Sequence, residues 1–171
     1  MKLIVAICKN GGIGYKNKIP WHLKKDLQYF KKMTIGNNNN AVIMGNNTWK
    51  SLNKTPLPKR TNIILTQKSI KNVSENTREN SSYIFKNSID DAIQYCEKNR
   101  FDDIWIIGGT KIYDLAFKKN IINEIYITDI KNDFICDTYF NDIPPEFKLF
   151  QQTDIIKEND ITFNYKLLRK A

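Results

Sequence analysis

The stretch Asp103-Ile104-Trp105-Ile106-Ile107-Gly108-Gly109-Thr110-Lys111-Ile112-Tyr113 decides how the chain is read. The apolar run up to Ile107, closed by two glycines, suits a strand buried on both faces. A helix is expected to start just after Gly108-Gly109. A strand that passes through paired glycines into a helix brings bare backbone toward a ligand, because glycine has no Cβ in the way.

The same alternation recurs on both sides of that stretch. Lys2 to Cys8 reads as a buried strand, and Ala41-Val42-Ile43-Met44 as another, ended by Gly45. Asn47 to Leu52 suits a short helix, and Asn62 to Thr66 a third apolar strand. Pro56-Leu57-Pro58 must be irregular, since two prolines forbid regular structure. Residues 67–82 are polar and read as a long loop before the short strand Tyr83-Ile84-Phe85. Ser88 with Asp91 forms a capping-box-like pair, opening a helix whose inner face is Ile89, Ala92, Ile93 and Cys96. Downstream, Glu124 to Ile130 is a strand. Phe147 to Ile155 and Ile161 to Leu168 suit a closing antiparallel pair around Glu158-Asn159-Asp160. Strands alternating with helices predict an α/β fold, a mostly parallel sheet with helices on both faces and an antiparallel addition at the C-terminus. Residues 1–171 read as one domain, without repeat or linker.

A second stretch, Ile19 to Thr34, carries the first chemical signal. A helix can start after Pro20, and Leu23, Leu27, Phe30 and Met33 recur at the spacing of one helical face. Asp26 falls within that apolar stripe, while Lys24, Lys25, Lys31 and Lys32 fall mostly on other faces. A carboxylate aimed at a core costs free energy unless it is paired or has something to bind. Asp26 is therefore a functional-site candidate, against the alternative of a structural acid held by a backbone or hydroxyl group.

Composition narrows the classes. The chain has 171 residues, 41% hydrophobic and 12% aromatic, ordinary for a globular protein. Its three cysteines, Cys8, Cys96 and Cys136, lack metal-ligand spacing and leave an odd count for disulfides. That points to a reducing compartment, the cytoplasm, and to no metal site. The apolar run at Met1 to Cys8 is too short for a signal peptide or membrane span. A net charge of +9 suggests polyanions, but the lysines are scattered and no nucleic-acid motif is present. Such a field also attracts a nucleotide cofactor. The loop Lys9-Asn10-Gly11-Gly12-Ile13-Gly14 lacks the Lys-Ser/Thr of a P-loop and the spacing of a dinucleotide fingerprint. Taken alone, its glycines read as a mobile turn.

Together these stretches resemble the dihydrofolate reductase family across essentially the whole chain. The matching elements, in order, are Ile13-Gly14 with Ile19-Pro20-Trp21 and Asp26; Val42-Ile43-Met44-Gly45 with Thr48-Trp49; Pro56-Leu57-Pro58 with Arg60; Ile107-Gly108-Gly109 with Tyr113; and Thr128 with Asp137. The resemblance implies an eight-stranded sheet and the NADPH-dependent reduction of 7,8-dihydrofolate to tetrahydrofolate by a monomer, with neither nucleic acid nor membrane as main partner. It implies catalytic roles for Asp26, Trp21 and Thr128. Asp26 would bind the 2-amino and N3 groups of the pterin, Thr128 would support it, and Trp21 would help hold a water. Leu27, Phe30 and Leu52 would wall the rings, with Ile4, Val5, Ile107 and Tyr113 completing the substrate side. Arg60 would clamp the glutamate α-carboxylate, a task lysine performs less well.

For the cofactor, the resemblance implies Ala6, Ile13, Gly14, Lys18 and Ile19 at the nicotinamide. Gly45, Asn46, Asn47, Thr48, Gly108, Gly109, Thr110, Lys111, Ile112 and Tyr113 would meet the phosphates. Leu65, Thr66, Gln67 and again Lys111 would meet the adenosine end. Lys9 to Trp21 would act as a lid against the loop around Asp137. Three positions depart from the family: Asn46 where a basic residue is common, Cys136 in place of a common glycine, and Ile19 in place of Leu or Met. The lone His22 has no partner motif and reads as a solvent-facing or N-terminal helix residue. Two other readings stand beside this one: a reductase of another pterin-like or pyrimidine ring, and a basic nucleic-acid-binding module. Arg60 separates the first, because a substrate without a carboxylate tail gives it no purpose.

Overall fold

The computed structural model describes residues 1–68, 76–78 and 81–171. Chain order is β1 (Lys2–Ile7), β2 (Gly12–Gly14), α1 (Lys24–Ile35), β3 (Asn40–Gly45), α2 (Asn46–Ser51), β4 (Arg60–Leu65), β5 (Asn76–Arg78) and β6 (Ser81–Lys86). It continues with α3 (Ile89–Asn99), β7 (Ile104–Ile106), α4 (Thr110–Lys118), β8 (Glu124–Ile130), β9 (Thr138–Tyr139), β10 (Phe147–Gln152), β11 (Ile156–Glu158) and β12 (Ile161–Lys170).

Eight strands form the principal sheet, in the order β10-β12-β8-β1-β7-β3-β4-β6. The three-residue strands β5 and β11 add to β6 and β12. From β8 through β6 every pairing is parallel, and β12 joins β8 antiparallel. The expected α/β sheet is therefore present. Two expectations need correction. The polar segment 67–82 contains β5 and the start of β6, and its residues 69–75, 79 and 80 lie outside the described residues. The expected antiparallel pair is present as β10 with β12, but it covers only Phe147 to Gln152, and the turn at Asn159-Asp160 joins β12 to the short β11 instead. The stretch after Gln152 leaves the ladder because β12 exchanges its partner there.

Alternation along the strands sorts the core into two faces. Leu3, Val5, Ala41, Ile43, Ile63, Ile106, Ile125 and Ile127 pack together with Ala92 and Cys96 of α3 and Ala116 of α4. On the other face Ile4, Val42, Met44, Ile64 and Trp105 pack with Trp49 of α2 and Phe30 and Met33 of α1. Ser88 opens α3 as expected, its Oγ accepting from the Asp91 N–H at 3.0 Å.

Chain direction places the cleft. From β3 the strands proceed outward through β4 to β6, and β7 returns between β3 and β1. Open α/β sheets bind ligands beyond the carboxyl ends of strands where the order reverses. Here that crevice is bordered by the ends of β1, β3 and β7.

Candidate functional site

Asp26 lies in the first turn of α1, facing β8. Thr128 stands mid-strand in β8, in register with Ala6 of β1 and Tyr165 of β12. Its hydroxyl donates to Asp26 Oδ1 at 2.6 Å, and among the described residues no donor or cation meets Oδ2. Burial raises the Asp26 carboxyl above the usual carboxylate range; the Thr128 hydroxyl opposes that, and the Glu158 charge adds to it. Tyr29 stacks on Tyr165 with ring centroids 3.8 Å apart. The Tyr29 hydroxyl is pushed up to about 12, first by burial and then by the Asp26 charge.

Arg60 opens β4 and is only 5% exposed. Its Nε donates to Pro58 O at 2.9 Å and its Nη1 to Thr34 Oγ1 at 2.8 Å, while Thr34 itself donates to Phe30 O. Asn62 shapes the proline loop by accepting from Leu57 N and donating to Leu57 O. Among the described residues no carboxylate pairs with Arg60, and burial lowers its guanidinium to about 10. A buried cation without a counter-ion is costly, and an anionic ligand would offset that cost.

Helix α1 separates the two charges. Phe30, Leu52 and Ile107 pack against the Ile4 cluster. Leu27 is 50% exposed, so the stripe Leu23-Leu27-Phe30-Met33 needs correction. The inward face is Asp26, Tyr29, Phe30, Met33 and Thr34, and Leu27 is left half exposed. Val5 is a second correction. Alternation sends its side chain to the α3–α4 face, leaving only its backbone on the side of Ile4. Tyr113 is buried, donating its hydroxyl to Ile4 O at 2.9 Å.

At the other end of the cleft, Gly45 and Gly108 bring two strand ends together, with Gly45 N donating to Gly108 O at 2.8 Å. The Gly108-Gly109 peptide is cis, and Gly108 has φ +116°. A Cβ on Gly108 would come within 3.0 Å of the Tyr113 hydroxyl, and one on Gly45 within 3.0 Å of Ile112. Gly109 precedes α4, whose first N–H groups have no partners within the helix. Thr48 Oγ1 stands 3.7 Å from where a Gly109 Cβ would be. Asn46 and Thr110 are partly buried, whereas Asn47 and Lys111 are exposed. Leu65 is in the core, Thr66 bonds through its N–H to Lys86 O, and Gln67 and Lys68 are exposed.

The glycine-rich loop is more than a turn. Gly12–Gly14 forms β2 and pairs with β9. Asp137 N donates to Gly14 O at 3.0 Å, and Asp137 Oδ2 accepts from Lys16 N at 2.9 Å. That N–H bond is the main reason the Asp137 carboxyl lies below its usual range. Cys136 fits because Gly12 is bare: a Cβ there would meet its Sγ at 2.2 Å. Trp21 is buried edge-on against Phe134, while Lys18, Ile19 and His22 are exposed. Ile13 packs at the margin of the α3–α4 core, and Ala6 beside Cys8 and Trp21.

The family model described as dihydrofolate reductase matches residues 1–170. The chain belongs to the dihydrofolate reductase family. It is 36% identical to a dihydrofolate reductase of Aedes albopictus over 184 aligned positions, covering 99% of this chain and 96% of that one. It is 43% identical to one from Buchnera aphidicola subsp. Acyrthosiphon pisum over 151 positions, 88% of this chain and 81% of the other. With the Gallus gallus enzyme it shares 34% identity over 185 positions, 98% and 95% of the two chains. The family reduces dihydrofolate to tetrahydrofolate with NADPH, which makes this chain an NADP-dependent oxidoreductase of one-carbon metabolism and tetrahydrofolate biosynthesis.

The residues at the glycine end fit such a cofactor. Gly45 and Gly108 leave a surface that any Cβ would fill, and the start of α4 offers N–H donors to an anion. Four residues around Asp26 and Arg60 carry no site signal in the family motifs: Tyr29, Tyr165, Thr34 and Glu158. Only Tyr29, three residues after Asp26, had a local signal in the helical period.

Proposed function

We propose that Asp26 and Arg60 are the two ends of a folate site and that Gly45 to Thr48 and Gly108 to Tyr113 hold NADPH beside it. The observation that supports this is a half-buried carboxylate and a buried guanidinium, each without a protein counter-charge among the described residues. Arg60 bonds to Thr34, eight residues along α1 from Asp26, which is about 12 Å of helix. A ligand with a planar donor edge at one end and a carboxylate at the other suits that span. Dihydrofolate has both, and a pterin without its glutamate tail has one.

Asp26 accepts from the 2-amino and N3 groups of the pterin, with Thr128 fixing the carboxylate. The carboxylate favours the protonated pterin, and Trp21 helps hold the water beside it. Leu27, Phe30, Leu52, Ile4 and Ile107 exclude bulk water from the rings. When bound, NADPH would supply the hydride for pterin C6, and the water held near Trp21 would be placed to deliver the proton to N5. Gly45, Gly108, Gly109 and the donors of Asn46, Asn47, Thr48 and Thr110 orient the phosphates. Thr66, Gln67 and Lys111 meet the adenosine end, with Leu65 behind them. The segment Lys9 to Trp21 covers the nicotinamide side through Ile13, Gly14, Lys18 and Ile19, with Asp137 as its latch.

Residues 1–171 act as one domain, supported by a sheet continuous from β10 to β5. We also infer a cytoplasmic monomer whose partner is dihydrofolate rather than nucleic acid or membrane. Three free cysteines support a reducing compartment, and among the described residues no helix is long and apolar enough to cross a membrane. NADPH absorbance followed with and without dihydrofolate tests the reaction. Oxidation that depends on dihydrofolate is expected; oxidation supported equally by a glutamate-free pterin would favour a different substrate. Salt-sensitive retention on DNA without NADPH oxidation would overturn it. Size-exclusion chromatography tests the monomer.

A further inference from the structure

Helix α1 has no cap of its own. Leu23 is extended and supplies no side-chain acceptor to the first turn. The N–H groups of Lys24 and Lys25 instead donate to the two carboxylate oxygens of Glu158, at 2.6 and 3.0 Å. Glu158 ends β11 and so reaches α1 from the C-terminal hairpin. The same hairpin supplies Tyr165, whose hydroxyl donates to Lys25 O at 3.3 Å and whose ring stacks on Tyr29. Asp26 is the next residue along the helix. The β11–β12 hairpin therefore grips α1 at the turn that aims the candidate pterin acid.

We propose that Glu158 is a positioning residue for Asp26, fixing the start of α1 from a distance and placing a second negative charge near the pterin end of the cleft. This rests on Asp26 being the pterin-binding acid. The groups facing Asp26 are Tyr29 on its own helix, Thr128 on β8, Tyr165 on β12 and Glu158 on β11. Lys25, Lys24 and His22 surround Glu158 rather than Asp26. The N–H of Lys25 is the main reason the Glu158 carboxyl lies below its usual range, so it is charged at neutral pH. Its charge acts with burial to favour a proton near Asp26, whether on the acid or on the bound ring. The capping contact sets where Asp26 stands; the charge sets how readily that end of the site holds a cationic ring.

Glu158→Gln and Glu158→Asp separate the two effects. Glutamine keeps one acceptor and loses the charge; aspartate keeps the charge on a shorter arm. Turnover and KM for dihydrofolate are to be measured from pH 5 to 9, beside thermal melts of both variants. Glu158→Gln is expected to move the alkaline limb of the turnover profile about half a pH unit toward acid and to raise KM about three- to tenfold. Glu158→Asp should restore the profile even where its melting temperature falls. A Glu158→Gln profile superimposed on that of the parent enzyme would overturn the proposal, as would equal shifts in both variants. Asp26→Asn assayed alongside keeps the two readings apart. Its loss of turnover with an unmoved Glu158→Gln profile removes only the role of Glu158; near-normal turnover of Asp26→Asn removes the reading of Asp26 itself.

Discussion

At the proposed folate end of the cleft, recognition would rest on a half-buried carboxylate and a buried guanidinium; at the proposed nucleotide end it would rest on backbone and on an exposed lysine. Among the described residues the Asp26 side chain accepts one hydrogen bond and Arg60 donates to two neutral acceptors, so neither charge is neutralised by the protein. Gly45 and Gly108 contribute the absence of a side chain, and Lys111 reaches from an exposed position. The contrast follows from what each ligand end offers. A planar donor edge or a single carboxylate rewards a fixed, buried counter-charge. A chain of phosphates is met by many N–H donors and by cations that salt can screen.

The largest expected effect tests the buried end. Asp26→Asn should lower turnover near neutral pH by roughly 10²–10⁴, with partial recovery at lower pH as solvent protonates the substrate. Near-normal turnover at pH 7 would break the comparison at its strongest point. Arg60→Ala should raise the KM for dihydrofolate by about 10–100-fold, because it removes a charge-assisted contact far from the reacting atoms. A glutamate-free pterin should be almost indifferent, and equal losses with both substrates would place Arg60 elsewhere.

At the exposed end the effects shrink. Lys111→Ala should cut the NADPH-to-NADH ratio of kcat/KM by about tenfold or less, and by more than Asn46→Ala does. Added salt should erode that preference in the parent enzyme, since Lys111 is exposed. An unchanged ratio would mean that other residues read the 2′-phosphate.

The smallest effect concerns stability and has the opposite sign to activity. Burial raises the folded-state Asp26 carboxyl above its unfolded value. Its contribution to folding is therefore fully present below the unfolded carboxylate range and lost as pH rises through the raised value. At pH 7 the ionised acid costs the ligand-free protein stability. Asp26→Asn keeps the shape and an acceptor for Thr128, so the ligand-free variant should melt higher, by about 2–4 °C. The gain should vanish toward pH 4. A lower melting temperature at pH 7 would show that the carboxylate supports the fold.

Much of this molecule was legible one residue at a time. The order of the longer strands and of the helices, the Ser88 cap, the irregular Pro56-Leu57-Pro58 segment and the inward-facing Asp26 follow from short-range periods and turn chemistry, whereas the two- and three-residue strands β2, β5, β9 and β11 carry too few residues to show a period. The paired glycines at Gly108-Gly109 could be read as a place where backbone meets a ligand, because their meaning lies in what they lack. Residue type also marked Arg60, once the family resemblance gave the substrate a carboxylate.

What remained depended on sheet register and on contacts between distant segments. Leu27 has the spacing of a core residue, yet it stands half exposed, because among the described residues the core packs against its neighbours Asp26, Tyr29 and Phe30 on α1. Val5 and Ile4 are indistinguishable by type, and only the pleat of β1 sends them to opposite faces. Glu158 lies in a polar turn-forming stretch with nothing local to mark it. It meets Lys24 and Lys25 because β12 pairs with β8 in a register that carries β11 to the start of α1. Periodicity is written over a few residues, and a partner 134 positions away is fixed only when the whole sheet has closed.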